Sequence, residues 1–220
     1  MHKRTELTRF NFRGFEDSGN IKAISLVELL ISIIVVSIMV LSFYSLETYS
    51  HQQLISADRR SKVQNSLAYC LEHMSKYVQQ ANGNIIYPAF TLYPAAEEVK
   101  TGFQVRVDFN IPPTPSDLTD DGLVYYTLSG NILSTGCTGN CGVFAAEDLS
   151  DKIVANFNNS VMPEDPTDGF YVEVDYLGTT VDIGLVGRYY PGQAVTPATH
   201  LSNPQVAMRA KLICNNSSVN

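Results

Sequence analysis

An α+β fold is what this chain predicts, one long N-terminal helix packed on a mainly antiparallel β-sheet, and three observations predict it. The first is an apolar run near the N-terminus that carries no charge from Leu29 to Leu46. The second is a helical period beyond that run: Leu67, Leu71, Met74, Val78 and Ala81 recur every three or four residues, while Gln64, Glu72, Lys76 and Gln79 fall on other faces. The third is a change to period two after Pro88, where Phe103, Val105, Val107 and Phe109 alternate with Gln104, Arg106 and Asp108.

No Gly or Pro interrupts residues 24–82, so one helix is expected over that whole span, about 85 to 90 Å long at 1.5 Å per residue. Its first half is expected in an apolar medium and its second half on the folded domain. The Asn82-Gly83-Asn84 turn stops it. Besides the strand at Phe103, a second alternating segment joins Phe170, Val172, Val174 and Tyr176 with Tyr171, Glu173 and Asp175 between them. Residues 123–128 are expected to hairpin with residues 132–134 through Ser129-Gly130-Asn131, and residues 180–186 to follow a Leu177-Gly178-Thr179 turn. A last strand covers residues 206–213. Residues 111–122 and 191–204, rich in Pro, Thr, Asp and Asn, read as loops.

The 220 residues, 45% hydrophobic and 10% aromatic, suffice for one core of roughly 130 to 150 residues outside the N-terminal run. A net charge of -7 and a pI near 5.0 argue against a nucleic-acid surface, which needs clustered Lys and Arg. The nearest approach to such a cluster, Arg59, Arg60 and Lys62 beside Asp58, reads as a solvated helix face.

Eighteen uncharged residues from Leu29 to Leu46 are enough to span a bilayer. They exceed the apolar core of a secretory signal peptide, and no small-x-small cleavage site follows Leu46. Lys3, Arg4, Arg9, Arg13 and Lys22 keep the N-terminus cytoplasmic by the positive-inside rule, which places the folded domain outside the cytoplasm. Within residues 23–46 the one charge is Glu28. A carboxylate at bilayer depth costs on the order of 2.5 to 3.5 kcal/mol on insertion scales, so a cationic partner is expected.

The run Lys22-Ala23-Ile24-Ser25-Leu26-Val27-Glu28-Leu29-Leu30 resembles the prepilin-type cleavage and methylation motif of type IV pilins and type II secretion pseudopilins. That resemblance implies cleavage between Ala23 and Ile24 by a prepilin peptidase, N-methylation of Ile24, and an Ile24 amine that answers Glu28 on the same chain or on a neighbour. Ala23 stands where the family usually has Gly, and Ile24 where it usually has Phe. The layout, with SLAYCLEHMSKYVQQA on the helix, DGLVYYTLSGNIL in the sheet and QVAMRAKL near the end, is similar to minor pilins of the W class and pseudopilins of the J class. The chain so read comprises a cytoplasmic leader (1–23), a membrane and filament-core helix (24–46), its amphipathic continuation (47–82) and an extracytoplasmic pilin-like β-domain (83–220). The partners implied are other pilin or pseudopilin subunits, the prepilin peptidase, an inner-membrane assembly platform and the lipid bilayer. A competing reading is a signal-anchored extracytoplasmic binding protein in which Glu28 is incidental.

Four cysteines lie in a compartment that permits disulfides. Cys137 and Cys141 enclose Thr138-Gly139-Asn140 and can close locally, which leaves Cys70 and Cys214 to pair, although three connectivities are open. A zinc site from Cys137 and Cys141 with two of His51, His73 and His200 is the competing use, and Cys70 also reads as a buried thiol. Asp117, Asp120 and Asp121 before Gly122 are a calcium candidate without EF-hand spacing, against a solvated turn. His200, Ser202 and Asp182 are triad residue types, but no nucleophile elbow or phosphate loop accompanies them. No enzyme and no cofactor are expected. Sequons at Asn158 and Asn216 mark surface loops.

Overall fold

Helix α1 spans Leu26–Gln79 in the computed structural model, which describes residues 25–84, 86–94, 101–155, 157–158, 169–175, 179–197, 199–214 and 216–217. It stops three residues before the expected end. Gln80 and Ala81 donate to the carbonyls of Tyr77 and Val78, which tightens the last turn. Asn82 and Gly83 are then drawn into a short strand instead of a turn.

Eleven strands follow among the described residues: β1 (Asn82–Gly83), β2 (Phe90–Tyr93), β3 (Gly102–Val107), β4 (Gly122–Ser129), β5 (Ile132–Gly139), β6 (Glu147–Ser150), β7 (Phe157–Asn158), β8 (Phe170–Val174), β9 (Thr180–Arg188), β10 (Gln205–Ile213) and β11 (Asn216–Ser217). They form a five-stranded sheet in the order β2-β3-β4-β5-β6, a four-stranded sheet in the order β10-β9-β8-β7, and the two-stranded pair β1-β11. The five-stranded sheet is antiparallel throughout. In the four-stranded sheet β10-β9 and β9-β8 are antiparallel and β7-β8 is parallel. The single expected sheet is thus two sheets and a pair.

The expected hairpin forms between β4 and β5, with Gly130 supplying a φ of 59° in its tight turn. Strand β5 continues five residues past the expected Ser134, through Thr135 and Gly136, because the ladder with β4 holds residues that have little apolar pattern of their own. Strand β3 ends at Val107, since the Asp108 carboxylate accepts the backbone N–H of Asn110 and turns the chain. Tyr176 lies outside the described residues. Tyr171, expected on the polar side of β8, is buried, so Phe170, Tyr171 and Val172 are covered on both faces.

The chain divides into two units, Met1–Thr48 and Tyr49–Asn220, with the division inside α1. In the second unit the expected stripe of Leu67, Leu71, Met74, Val78 and Ala81 is buried, together with Val63, Cys70 and Tyr77. These residues meet both sheets. A Cβ added to Gly187 in β9 would sit 3.0 Å from Leu67 Cδ2 and Val63 Cγ1, while His73 meets Tyr126 of β4. The sheets also touch each other through the Phe103 and Phe170 rings, 6.1 Å apart. Fully burying a side chain such as Leu67 contributes about 1.5 to 3 kcal/mol, and the helix stripe supplies several.

Candidate functional site

The start of α1 carries the sequence's most specific signal. Ser25 caps the helix: its Oγ accepts the Glu28 N–H at 3.2 Å and its carbonyl accepts the Leu29 N–H. Glu28 therefore sits in the first turn. The spacing Ser25-x-x-Glu28 is that of a capping box, yet the bond seen uses the backbone of Glu28 and not its carboxylate. Among the described residues nothing hydrogen-bonds or pairs with that carboxylate. Ala23 and Ile24, the expected cleavage pair, lie outside the described residues.

Downstream of Glu28 the helix surface is apolar on every side. Large aliphatic residues from Leu26 to Leu41 are all exposed, and α1 is long and apolar enough in this part to cross a membrane. The hydroxyls of Ser32, Ser37 and Ser42 donate back to the carbonyls of Glu28, Ile33 and Ile38 at 2.7 to 2.8 Å, and Thr48 does the same to Tyr44. Hydroxyls satisfied in this way need no water, which suits a helix surrounded by apolar groups.

Cys137 and Cys141 form a disulfide across Thr138-Gly139-Asn140, with Gly139 at a φ of 86° in the enclosed turn. The zinc reading loses both its thiolates by that bond. Cys70 and Cys214 are free and buried, so the expected second disulfide is absent. The Cys214 thiol donates to the Ala81 carbonyl beyond the helix end, whereas Cys70 lies nine residues before Gln79, about 13 Å along the axis. A disulfide needs Cα atoms within about 7 Å. Burial pushes the Cys70 thiol up to about 12, which makes it an inert core group.

The three triad residue types are each engaged elsewhere. His200 Nδ1 bonds the Pro197 carbonyl, Ser202 Oγ donates to the Thr199 carbonyl, and Asp182 pairs with Arg209 at 2.5 Å. Among the described residues no group of three His, Cys, Asp or Glu is arranged to hold a metal ion, and the calcium candidate of Asp117, Asp120 and Asp121 is therefore not such a group. The Asp117 carboxylate turns to the N–H and hydroxyl of Thr119. Asp120 accepts from Asn110 and Thr114 through Oδ2. Asp121 is buried; desolvation first, and then the charge of Asp108, raises its carboxyl to about 6.

Two side chains are used differently from the sequence reading. Arg59, expected on a solvated face, donates to the Ser202 carbonyl and lies over the rings of Tyr189 and Tyr190 at 5.0 and 5.5 Å. Lys62 pairs with Asp58 in solvent at 2.8 Å, as a solvated face requires. His73, considered only as a zinc ligand, packs among Tyr77, Tyr126 and Phe144, with Nδ1 3.1 Å from the Tyr126 hydroxyl and Nε2 3.6 Å from Glu147. Its place on the packed face one residue before Met74 was the available signal. Comparison with known proteins leaves the chain unassigned, since no family model, curated protein or solved structure matches it.

Proposed function

We propose that this chain is a minor pilin or pseudopilin subunit, cut after Ala23, that assembles through its N-terminal helix into a type IV pilus or type II secretion pseudopilus and helps to initiate, cap or adapt the fibre. The observation that carries this reading is the Glu28 carboxylate, in the first turn of a helix whose next eighteen residues, Leu29 to Leu46, are exposed and uncharged, without a partner among the described residues. The helix dipole favours an acid in the first turn by about 0.3 to 1 kcal/mol. That is smaller than the on the order of 2.5 to 3.5 kcal/mol that a membrane charge costs, so the dipole alone does not account for Glu28. The Ile24 amine, freed by cleavage and methylated, supplies the missing cation in an adjoining subunit.

In this reading the partners are other pilin or pseudopilin subunits, the prepilin peptidase and the inner-membrane assembly platform. The folded domain faces the periplasm or the cell exterior. Replacement of Glu28 by Ala, followed by in-cell crosslinking and separation of assembled fibres from membrane, tests the assembly role. The expected result is a stable, membrane-held chain that no longer crosslinks into fibres, with Glu28→Asp intermediate. A Glu28→Ala chain that assembles as the original does would instead favour a signal-anchored binding protein.

A further inference from the structure

The two larger sheets have four edge strands between them, and three of these are closed to further pairing in recognisable ways. Strand β2 runs for four residues between Pro88 and Pro94. Strand β6 is as short, its ladder with β5 shifts register between Leu133 and Ser134, and Ser66 and Tyr69 of α1 bond its Ser150 and Glu147. Strand β7 has two residues. Short length, proline, bulges and cover by a helix are the devices by which folds prevent edge-to-edge association.

Strand β10 is the exception. Its nine residues, Gln205–Ile213, include no proline and pair with β9 in a register without a shift. Two bonds fix which way its backbone points. The Cys214 N–H donates to the Thr179 carbonyl, one step beyond the pair Ile213 and Thr180, and the Val186 N–H donates to the Gly169 carbonyl on the β8 side. In an antiparallel ladder successive residues bond alternate neighbours. Val206, Met208, Ala210 and Leu212 therefore bond β9, while the N–H and C=O groups of Ala207, Lys211 and Ile213 point to the open side. None of those three has a backbone partner there among the described residues.

The two faces beside this edge differ. Toward α1, Met208, Ala210 and Leu212 pack against the core yet stay half-buried, whereas Val181, Ile183 and Leu185 on the adjacent β9 are sealed. One more strand beside β10 would cover the rest of that apolar strip. Away from α1, Ala207, Lys211 and Ile213 are exposed. Arg209 on this face is bonded to both carboxylate oxygens of Asp182, and Lys211 has no ion pair among the described residues. A symmetric pairing of two β10 strands would set the cations Arg209 and Lys211 near those of the other copy, and like charges across a ladder are destabilising. An acidic residue beside Lys211 is favoured instead.

We propose that β10 is a docking edge for an extended segment of another protein, which adds one strand to the four-stranded sheet with apolar side chains beside Met208 and Leu212 and an acidic one beside Lys211. In such strand addition main-chain hydrogen bonds supply affinity and alternate side chains supply selectivity. The edge belongs to the folded domain and owes nothing to Glu28 or to cleavage at Ala23.

The test uses the full-length chain in detergent and two synthetic peptides as long as β10, one alternating valine with glutamate, the other valine with lysine. Isothermal titration reads binding, and hydrogen exchange reads the amides of Ala207, Lys211 and Ile213. The expected result is saturable binding of the glutamate peptide alone, with slowed exchange at those three amides. Lys211→Glu should reverse the preference between the peptides. Ala207→Pro should bind neither, since it removes an N–H on the open side and none from the ladder with β9. No binding of the glutamate peptide, binding that leaves the three amides unchanged, equal binding of both peptides, or an unchanged preference in Lys211→Glu overturns the proposal. A chain that sediments as a dimer and becomes monomeric in Ala207→Pro also overturns it, because the occupant is then a second copy. If Ala207→Pro does not fold, the peptide preference of Lys211→Glu decides.

Discussion

Residues 26–48 and residues 49–79 belong to one helix, yet they solve the burial of apolar surface in opposite ways. In the second segment the buried apolar residues form one stripe, from Val63 to Val78, and the two sheets cover it. The first segment is apolar all round, with Leu30, Ile34 and Ile38 as exposed as residues on other faces. A helix that is apolar on all sides belongs in a membrane or in the core of an assembly. The second segment finds its partner within the same chain, whereas no described residue covers the first, which is long and apolar enough to cross a membrane.

The largest effect that sharpens this contrast comes from equivalent truncations in the two segments. Leu67→Ala should lower the unfolding free energy of the domain by about 2 to 5 kcal/mol, because Leu67 is fully buried against β9. Ile34→Ala should leave chemical denaturation of the detergent-solubilised chain unchanged. An Ile34→Ala chain destabilised as much as Leu67→Ala would break the comparison.

A smaller effect separates the segments by pH. Burial holds the His73 imidazole below its ordinary value, against the pull of Glu147 and with a minor push from Lys76; Tyr69, Tyr77, Tyr126 and Phe144 complete its surroundings. The unfolded chain then binds a proton more readily than the folded one. The contribution of His73 is therefore present above the unfolded value of about 6.5 and is lost as pH falls through the lower folded value. His73→Gln should flatten that part of the stability-pH curve, measured as the difference between the two proteins from pH profiles of denaturant midpoints. Parallel curves for the two would assign the pH dependence elsewhere.

Much of the fold was legible in residue pattern, and the exceptions share a physical reason. The helix stripe, β3, β4, β9 and β10 announce themselves because one face is apolar and the period is regular. Strand β6, with Glu147, Asp148, Leu149 and Ser150, and the far end of β5, with Thr135 and Gly136, have no such period; the ladder beside them decides their conformation. Tyr171 reads as an outward residue by alternation but is covered on both sides, a tertiary outcome that period two cannot encode. The same distinction applies to the sites. The Cys137-Cys141 bond is local and could be read from spacing, whereas the fates of Cys70 and Cys214 depend on where the last strand meets the helix end. Asp120 and Asp121 were visible as acids, but the burial of Asp121 follows from a register and a loop that composition does not reveal.

Glu28, in the exposed segment of α1, is proposed to mark a processing and assembly signal. Intact-mass analysis of the membrane-extracted chain, from cells with and without a prepilin peptidase, tests it most directly. A chain that begins at an N-methylated Ile24 is expected when the peptidase is present, and one that keeps its leader when it is absent; a full-length chain in both would overturn the proposed processing.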